Sequence, residues 1–446
     1  MTVIGAFLTV VLCVAVYCVP RRAAALAFLA AVLYITQGQT IDIAGINCMA
    51  IRFVESFAFL RVLVRREYPK GELLGVDRWL ISFLVTSNLV FMLRTGKFDT
   101  YGFGMAIDAW FCFYSFRALL ATPEELASFL KGAVALLLPF ALCMIVEAVT
   151  GRNLFAFMGG VSEVSVFRDG HYRCQASFRH SITAGTLGAT FLPLFAGFLF
   201  ERRSRRWALT GMALSCIIVV TSRSSGPLMT TFAVVCAWCC WPLRRRMGLI
   251  RRGIVAGVIG LHMVMKQPVW FIFDRVSGFI GGDGWHRSNL IDKFVKHFGE
   301  WWVAGMPIEN TGDWAATKMP WGGVDVTDYY VSIGLNGGLV SLVVFIALLT
   351  ACFKLLGKAL QTIREQNPEL NPSSLETMVW GAGCAVLGHV VNVSAVMYWD
   401  QSYVIWYLHL AVATSLASYC LKNQPVGKAS SLPQEEGAPA ALALVS

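Results

Sequence analysis

Apolar segments near the length of a membrane-crossing helix are the feature that most constrains this chain. About thirteen of them alternate with polar connections. The sequence therefore predicts an all-α polytopic membrane protein with about 12–13 transmembrane helices and a long periplasmic loop containing short helices. The segments run approximately over residues 3–19, 23–36, 46–64, 79–93, 101–119, 126–149, 181–200, 207–221, 227–241, 253–271, 329–353, 378–397 and 403–420.

Composition excludes the main soluble classes. The 446 residues are 56% hydrophobic and 14% charged, with a mean hydropathy of +0.61, whereas soluble domains average about 25% charged residues. This excludes soluble multi-domain enzymes, secreted disulfide scaffolds and disordered chains. The net charge of +10 comes from short Lys and Arg runs between apolar segments, where such residues set topology, so we predict the lipid bilayer and no nucleic acid as a partner.

The basic runs predict orientation, because loops rich in Lys and Arg stay cytoplasmic. The opposite side then holds segment 151–180, the turn at Arg223 and segment 274–328. The last of these is the longest polar interruption of the chain, which is typical of a functional loop. The cytoplasmic runs are residues 20–22, 65–78, 201–206, 244–252 and 354–364.

Five parts follow from this topology. They are N-terminal helices (1–150), central helices with an Arg-rich periplasmic loop (151–272), a periplasmic catalytic loop (273–328), C-terminal helices (329–420) and a disordered cytoplasmic tail (421–446). Within the catalytic loop, apolar residues at helical spacing over 288–302 predict an amphipathic helix at the membrane surface. We interpret the Trp residues of this loop as an interfacial belt rather than a platform for sugar rings. They are Trp285, Trp301, Trp302, Trp314 and Trp321.

Arginines on the periplasmic side break the usual charge asymmetry and indicate an anion there. The arginine fork grips phosphate oxygens in pairs and stays charged, so converging arginines suit a pyrophosphate. The alternative is that each arginine pairs with a local carboxylate or reaches lipid headgroups. The five are Arg168, Arg173, Arg179, Arg223 and Arg287.

Histidines and carboxylates also lie on this side, and none of their spacings predicts a metal site or a nucleotide site. We therefore predict no cofactor and no metal. A reaction on a face without nucleotides needs an activated donor, and a lipid pyrophosphate fits because it leaves as a stabilised anion. The acceptor hydroxyl would then need a general base.

Several stretches resemble the O-antigen ligase and polymerase superfamily. They are FRDGHYRCQASFRHSITAGTLGA, TSRSSGPLM, GWHRSNLIDKF followed by VAGMPIE, and VDVTDYYVSIGLNGGLVSLVVF, which together span roughly residues 167–345. The resemblance implies a multi-pass glycosyltransferase of the bacterial inner (cytoplasmic) membrane that uses undecaprenyl-pyrophosphate-linked oligosaccharide. Such an enzyme serves O-antigen, lipopolysaccharide or exopolysaccharide biosynthesis, and the resemblance suggests chain-length regulator or flippase proteins as partners.

The resemblance also implies residue roles. The positions matching the family's donor-binding arginines are Arg173, Arg179, Arg223 and Arg287. The ligases have a catalytic His-Asn-like pair where this chain has Thr327 and Asp328, so the ligase histidine is missing. A polymerase is therefore favoured over a ligase.

Three residues are candidates for the base. Asp328 and Asp325 could accept the proton if burial raises their pKa, although both stand where helix capping is the alternative role. His286 is the third candidate, since its ordinary pKa suits the task, whereas His180 at a helix start is more often structural.

Within the membrane, Arg52 and Glu55 are three residues apart and are predicted to pair with each other, leaving Asp108 without a partner in sequence. Gly334, Gly337 and Gly338 are predicted to allow close helix packing. A polysaccharide flippase or other secondary transporter is the rival function, but such proteins more often show an internal repeat.

Overall fold

The computed structural model describes residues 1–43, 46–69, 73–280, 282–314, 319–320, 322–366 and 373–423. Most of the predicted cytoplasmic tail (424–446) and Trp321 lie outside the described residues. The described residues form sixteen α-helices and two small antiparallel hairpins, which confirms the all-α class.

The helices are α1 (Val3–Cys18), α2 (Arg21–Tyr34), α3 (Ala50–Val64), α4 (Gly75–Thr95), α5 (Thr100–Leu119), α6 (Pro123–Thr150), α7 (Ser181–Gly197), α8 (Arg205–Ser222), α9 (Ser225–Cys239), α10 (Met247–Val264), α11 (Ile272–Ile280), α12 (Gly284–Lys296), α13 (Phe298–Trp301), α14 (Tyr329–Gln366), α15 (Ser374–Asn392) and α16 (Gln401–Lys422). The hairpins pair β1 (Thr40–Ile43) with β2 (Ile46–Met49) and β3 (Val166–Arg168) with β4 (His171–Arg173).

Six segments of the described residues are helical, long and apolar enough to cross a membrane, which makes the chain a multi-pass membrane protein. They are Gly75–Thr95, Pro123–Thr150, Trp241–Val264, Tyr329–Gln366, Ser374–Asn392 and Gln401–Lys422. Three shorter apolar helices, α1, α7 and α9, accompany them.

Each of the thirteen predicted segments overlaps one of helices α1–α10 and α14–α16, but some bounds differ. Residues 46–49 were expected in a helix and instead pair as β2, so α3 begins at Ala50. Helix α10 spans 247–264 rather than 253–271, because the chain leaves the helix before Pro268, which opens a separate short turn. Residues 354–364 were predicted to be a cytoplasmic basic run between helices and instead continue α14.

One end of the helix bundle, here called the basic end, gathers arginines near helix termini, of which Arg61 and Arg117 are buried. Arg61 donates to the carbonyls of Val16 and Val19, where α1 ends. Arg117 pairs with Asp77 and so joins the end of α5 to the start of α4. At the same end, Arg244 and Arg364 both bind Glu376 at the start of α15. Residues of the predicted cytoplasmic runs 65–78, 244–252 and 354–364 therefore take part in these contacts.

The opposite end, here called the site end, carries both hairpins and α11–α13. A buried polar chain ties the helices beneath it. His389 bonds His409 (2.7 Å) and the Tyr398 hydroxyl (2.6 Å), and Asn392 bonds the same hydroxyl. Tyr398 also stacks on Tyr329, the first residue of α14. This network therefore helps to position the start of α14 at the site end.

The described residues of segment 272–328 pack against α14 and form a small core. Leu290 and Phe294 of α12 pack with Trp301 and Trp314 against the first turns of α14. The amphipathic helix predicted over 288–302 is thus α12 followed by the short α13. Trp301 and Trp314 are 2% and 1% exposed, so the prediction of an interfacial belt is wrong for these two, which fill this core.

Candidate functional site

The amino-terminal ends of three helices meet at the site end. Ser181, which begins α7, and Ser224, which precedes α9, have hydroxyls 3.1 Å apart. Asp328 precedes α14 and lies close enough to Arg287 for each to shift the other's pKa. The residues preceding α7 and α9 make no side-chain cap hydrogen bond. Because free N–H groups and the helix dipole attract negative charge, this arrangement suits an anion.

Arg173 and Arg287 are the two predicted arginines that converge on these helix ends. Arg173, at the end of β4, donates to the Ser224 hydroxyl (2.9 Å). Arg287, in the first turn of α12, donates to the neighbouring Ser225 hydroxyl (3.4 Å). Burial lowers the pKa of both guanidinium groups, and the positive charge of Arg173 contributes to the lowered pKa of Arg287. A guanidinium held against serine hydroxyls keeps donors available for phosphate oxygens.

Asp328 is the buried carboxylate beside this pair. It is 2% exposed, and one of its oxygens accepts the backbone N–H groups of Tyr330 (2.8 Å) and Val331 (3.1 Å). Asp328 therefore caps α14, as the alternative reading expected. Burial raises the pKa of Asp328 to about 7, although these N–H groups and Arg287 lower it in part. A carboxyl that titrates near neutral pH can also accept a proton.

His286 and Asp325 lie together on the rim of the site. His286 Nε2 is 2.8 Å from the backbone carbonyl of Asp325. Since a carbonyl only accepts, Nε2 carries the proton and Nδ1 is the basic nitrogen. The carboxylate of Asp325 is exposed. His180 stands at the start of α7 with its pKa lowered by burial and by Arg179 and Arg173.

Of the other three predicted arginines, two pair with a local carboxylate and one is exposed near the site. Arg179 lies 3.9 Å from Asp400, and Arg168 lies 3.5 Å from its neighbour Asp169, so both have the local carboxylate that the alternative required. Arg223 is exposed in the turn between α8 and α9, in a left-handed conformation (φ 46°). That turn places it next to Ser224, the residue that binds Arg173.

The predicted pairing of Arg52 with Glu55 is wrong. Arg52 pairs with Asp108 on α5 (2.7 Å), because that carboxylate faces it across the helix interface. Glu55 instead accepts the hydroxyl of Tyr403 on α16 (3.0 Å) and is fully buried. Three helices therefore share one intramembrane polar cluster.

Two kinds of site residue were missed by the sequence reasoning. The serines of TSRSSG lay within a quoted motif, but no role was assigned to them. Asp400 directly precedes α16 and lies 3.9 Å from Arg179. Burial raises its pKa to about 6. A carboxylate just before the last apolar segment, 403–420, was the signal available in the sequence.

No protein-family model matches this chain, and no curated protein matches it.

Proposed function

We propose that this protein is a membrane glycosyltransferase of the O-antigen polymerase and ligase type. It polymerises or transfers undecaprenyl-pyrophosphate-linked oligosaccharide at the periplasmic face of the bacterial inner membrane, without a metal. The observation that carries the proposal is the convergence of Arg173 and Arg287 on the helix ends beside the buried carboxyl of Asp328.

The donor pyrophosphate would bind where these two guanidinium groups meet the first turns of α7 and α9. Arg223, in the turn before α9, would add a third contact from the rim. Charge-assisted hydrogen bonds from arginines hold phosphate oxygens in a fixed direction. They also stabilise the charge that develops as the leaving group departs.

In the proposed reaction, the acceptor hydroxyl oxygen attacks the anomeric carbon of the donor sugar. The bond from that carbon to the pyrophosphate oxygen breaks, and the lipid pyrophosphate leaves as the anion. Asp328 takes the proton of the acceptor hydroxyl, and its pKa of about 7 suits this task. His286 Nδ1 and Asp325 are the other candidate bases.

The test uses purified protein in nanodiscs with a synthetic undecaprenyl-pyrophosphate oligosaccharide, followed by mass spectrometry. If the protein is a polymerase, we expect longer lipid-linked glycans. If it is a ligase, we expect transfer only when a lipid-anchored acceptor is added.

Arg173→Ala and Arg287→Ala should each lower turnover about 100-fold. Arg168→Ala is the control, because Arg168 is exposed and paired with Asp169. If neither acceptor gives turnover and the protein exchanges the substrate across the membrane of proteoliposomes, the result would contradict the enzyme and support the transporter.

A further inference from the structure

At the basic end, α10 stands apart from the bundle. None of its residues is buried, whereas α15 has most of its residues buried. A cavity of about 870 Å³ separates α10 from α14 and α15. Because this cavity lies between helices that are long and apolar enough to cross a membrane, whatever fills it must tolerate an apolar surrounding.

The walls of this cleft are apolar along the helices. The apolar side chains that line it come from all three helices: Phe353, Leu356 and Leu360 of α14, Ile254 of α10 and Leu387 of α15. Water gains few hydrogen-bond partners on such walls. A hydrocarbon chain fills them without loss of hydrogen bonds.

The rim of the cleft is positively charged. Four arginines and one glutamate contribute to the lining. Arg244 and Arg364 are partly neutralised by their shared partner Glu376, whereas Arg251 lies exposed on α10. An apolar cleft between membrane helices under a basic rim matches a lipid with an anionic head group. The lining charges are Arg244, Arg245, Arg251, Arg364 and Glu365.

We propose that this cleft binds an anionic diacyl phospholipid, with an acyl chain between α10 and α14 and its phosphate at the arginine rim. This site lies at the opposite end of the bundle from Arg173 and Arg287 and does not depend on the proposed glycosyl transfer. The bound lipid would hold α10 against the bundle that it otherwise barely contacts.

Two glycines allow a test that spares the fold. Gly357 lines the cleft, and a Cβ added there meets no atom within 4 Å, so Gly357→Leu would extend an apolar side chain from an open backbone position into the cleft. Gly257 on α10 is equally open but does not line the cleft, so Gly257→Leu is its matched control. Arg251→Gln removes one rim charge, and Arg203→Gln, at an exposed position between α7 and α8, is its control.

The experiment is native mass spectrometry of delipidated protein given equal amounts of phosphatidylglycerol and phosphatidylcholine. We expect the wild type to retain phosphatidylglycerol preferentially, Arg251→Gln to lower that preference about fivefold, and Gly357→Leu to lose both lipids. The controls should behave as wild type. Equal retention of the two lipids by the wild type, or equal losses in the controls, would overturn the proposal. Gel filtration of each variant establishes that it is folded.

Discussion

At the residue scale, Asp328 combines two roles that sequence reasoning had set against each other. One carboxylate oxygen caps α14 through two backbone N–H groups. Burial nevertheless raises the pKa of the carboxyl to about 7, because the free energy of removing the charge from water is larger than the stabilisation of the charge by these hydrogen bonds. A cap in this environment can still exchange a proton.

Substitution of Asp328 separates the two roles. Asp328→Asn keeps an oxygen for the cap but cannot take a proton, so we expect glycan transfer to be lost while the protein stays folded. Asp328→Ala should lose both transfer and thermal stability. Transfer by the wild type should rise with pH around a midpoint of about 7, because the ionised carboxylate is the active form. Asp313→Asn, at an exposed carboxylate of the same segment, is the control, and an active Asp328→Asn protein would exclude the base role.

The same pKa sets the direction of the stability change. Because the folded-state pKa lies above the ordinary carboxyl value near 4, the folded protein holds the proton more tightly than the unfolded chain. The free energy of unfolding should therefore fall as the pH rises from about 4 to about 7. In Asp328→Asn this part of the decline in melting temperature should disappear.

Sequence reasoning found residue types at the site better than it found residue partners. Arg173 and Arg287 were selected because cations on the predicted outer side are unusual, and the fold brings them to one place. The pairing of Arg52 was wrong, because spacing along one helix says nothing about a carboxylate on the next helix. The serines that hold the arginines were overlooked, since hydroxyls carry no comparable signal.

At the element scale, the break in α14 joins the membrane helices to segment 272–328. Gly338 has a positive φ (65°) and interrupts the helical hydrogen bonds. The freed carbonyl of Leu335 accepts the N–H of Met306 and a guanidinium N–H of Arg94, each at 2.8 Å. The N–H of Leu339 donates to the carbonyl of Trp302. The segment over the site is thus anchored by backbone bonds to this break.

Alanine substitutions on α14 test that anchor. A Cβ at Gly338 would approach the carbonyl oxygen of Val303 to 2.7 Å in a left-handed conformation, so Gly338→Ala should destabilise the protein by about 2 kcal/mol or more. Gly357→Ala on the same helix has open space and a helical backbone, and should be neutral or stabilising by up to about 1 kcal/mol. Thermal melting in detergent measures both. Equal melting temperatures would contradict the anchor.

Hydropathy predicted the helices well and their ends poorly. A run of apolar residues identifies a membrane helix because the backbone must satisfy its own hydrogen bonds in lipid. The ends depend on local partners instead: β2 forms because Ile46–Met49 finds Thr40–Ile43 beside it, and α14 extends through 354–366 although that stretch is basic. The break at Gly338 was also missed, because its cause lies in residues far along the chain.

At the scale of the whole molecule, contacts between distant segments constrain how the chain crosses the membrane. Arg287 bonds Ser225, so the start of α9 and the start of α12 lie on one face. Between them the chain runs through α9 and back through α10, so α10 must return it across the membrane. This supports α10 as a spanning helix although none of its residues is buried, because lipid rather than protein then surrounds it.

Epitope insertions test the resulting orientation. Gly170 lies in the exposed turn between β3 and β4, where a Cβ meets no atom within 4 Å, so an insertion there should be tolerated. Arg202 and Arg203, between α7 and α8, are also exposed and lie one helix away. Because basic loops stay inside, we expect antibody to reach the Gly170 tag in intact spheroplasts and the tag after Arg202 only after permeabilisation. The reverse pattern would place Arg173 and Arg287 in the cytoplasm, where a periplasmic transfer reaction could not use them.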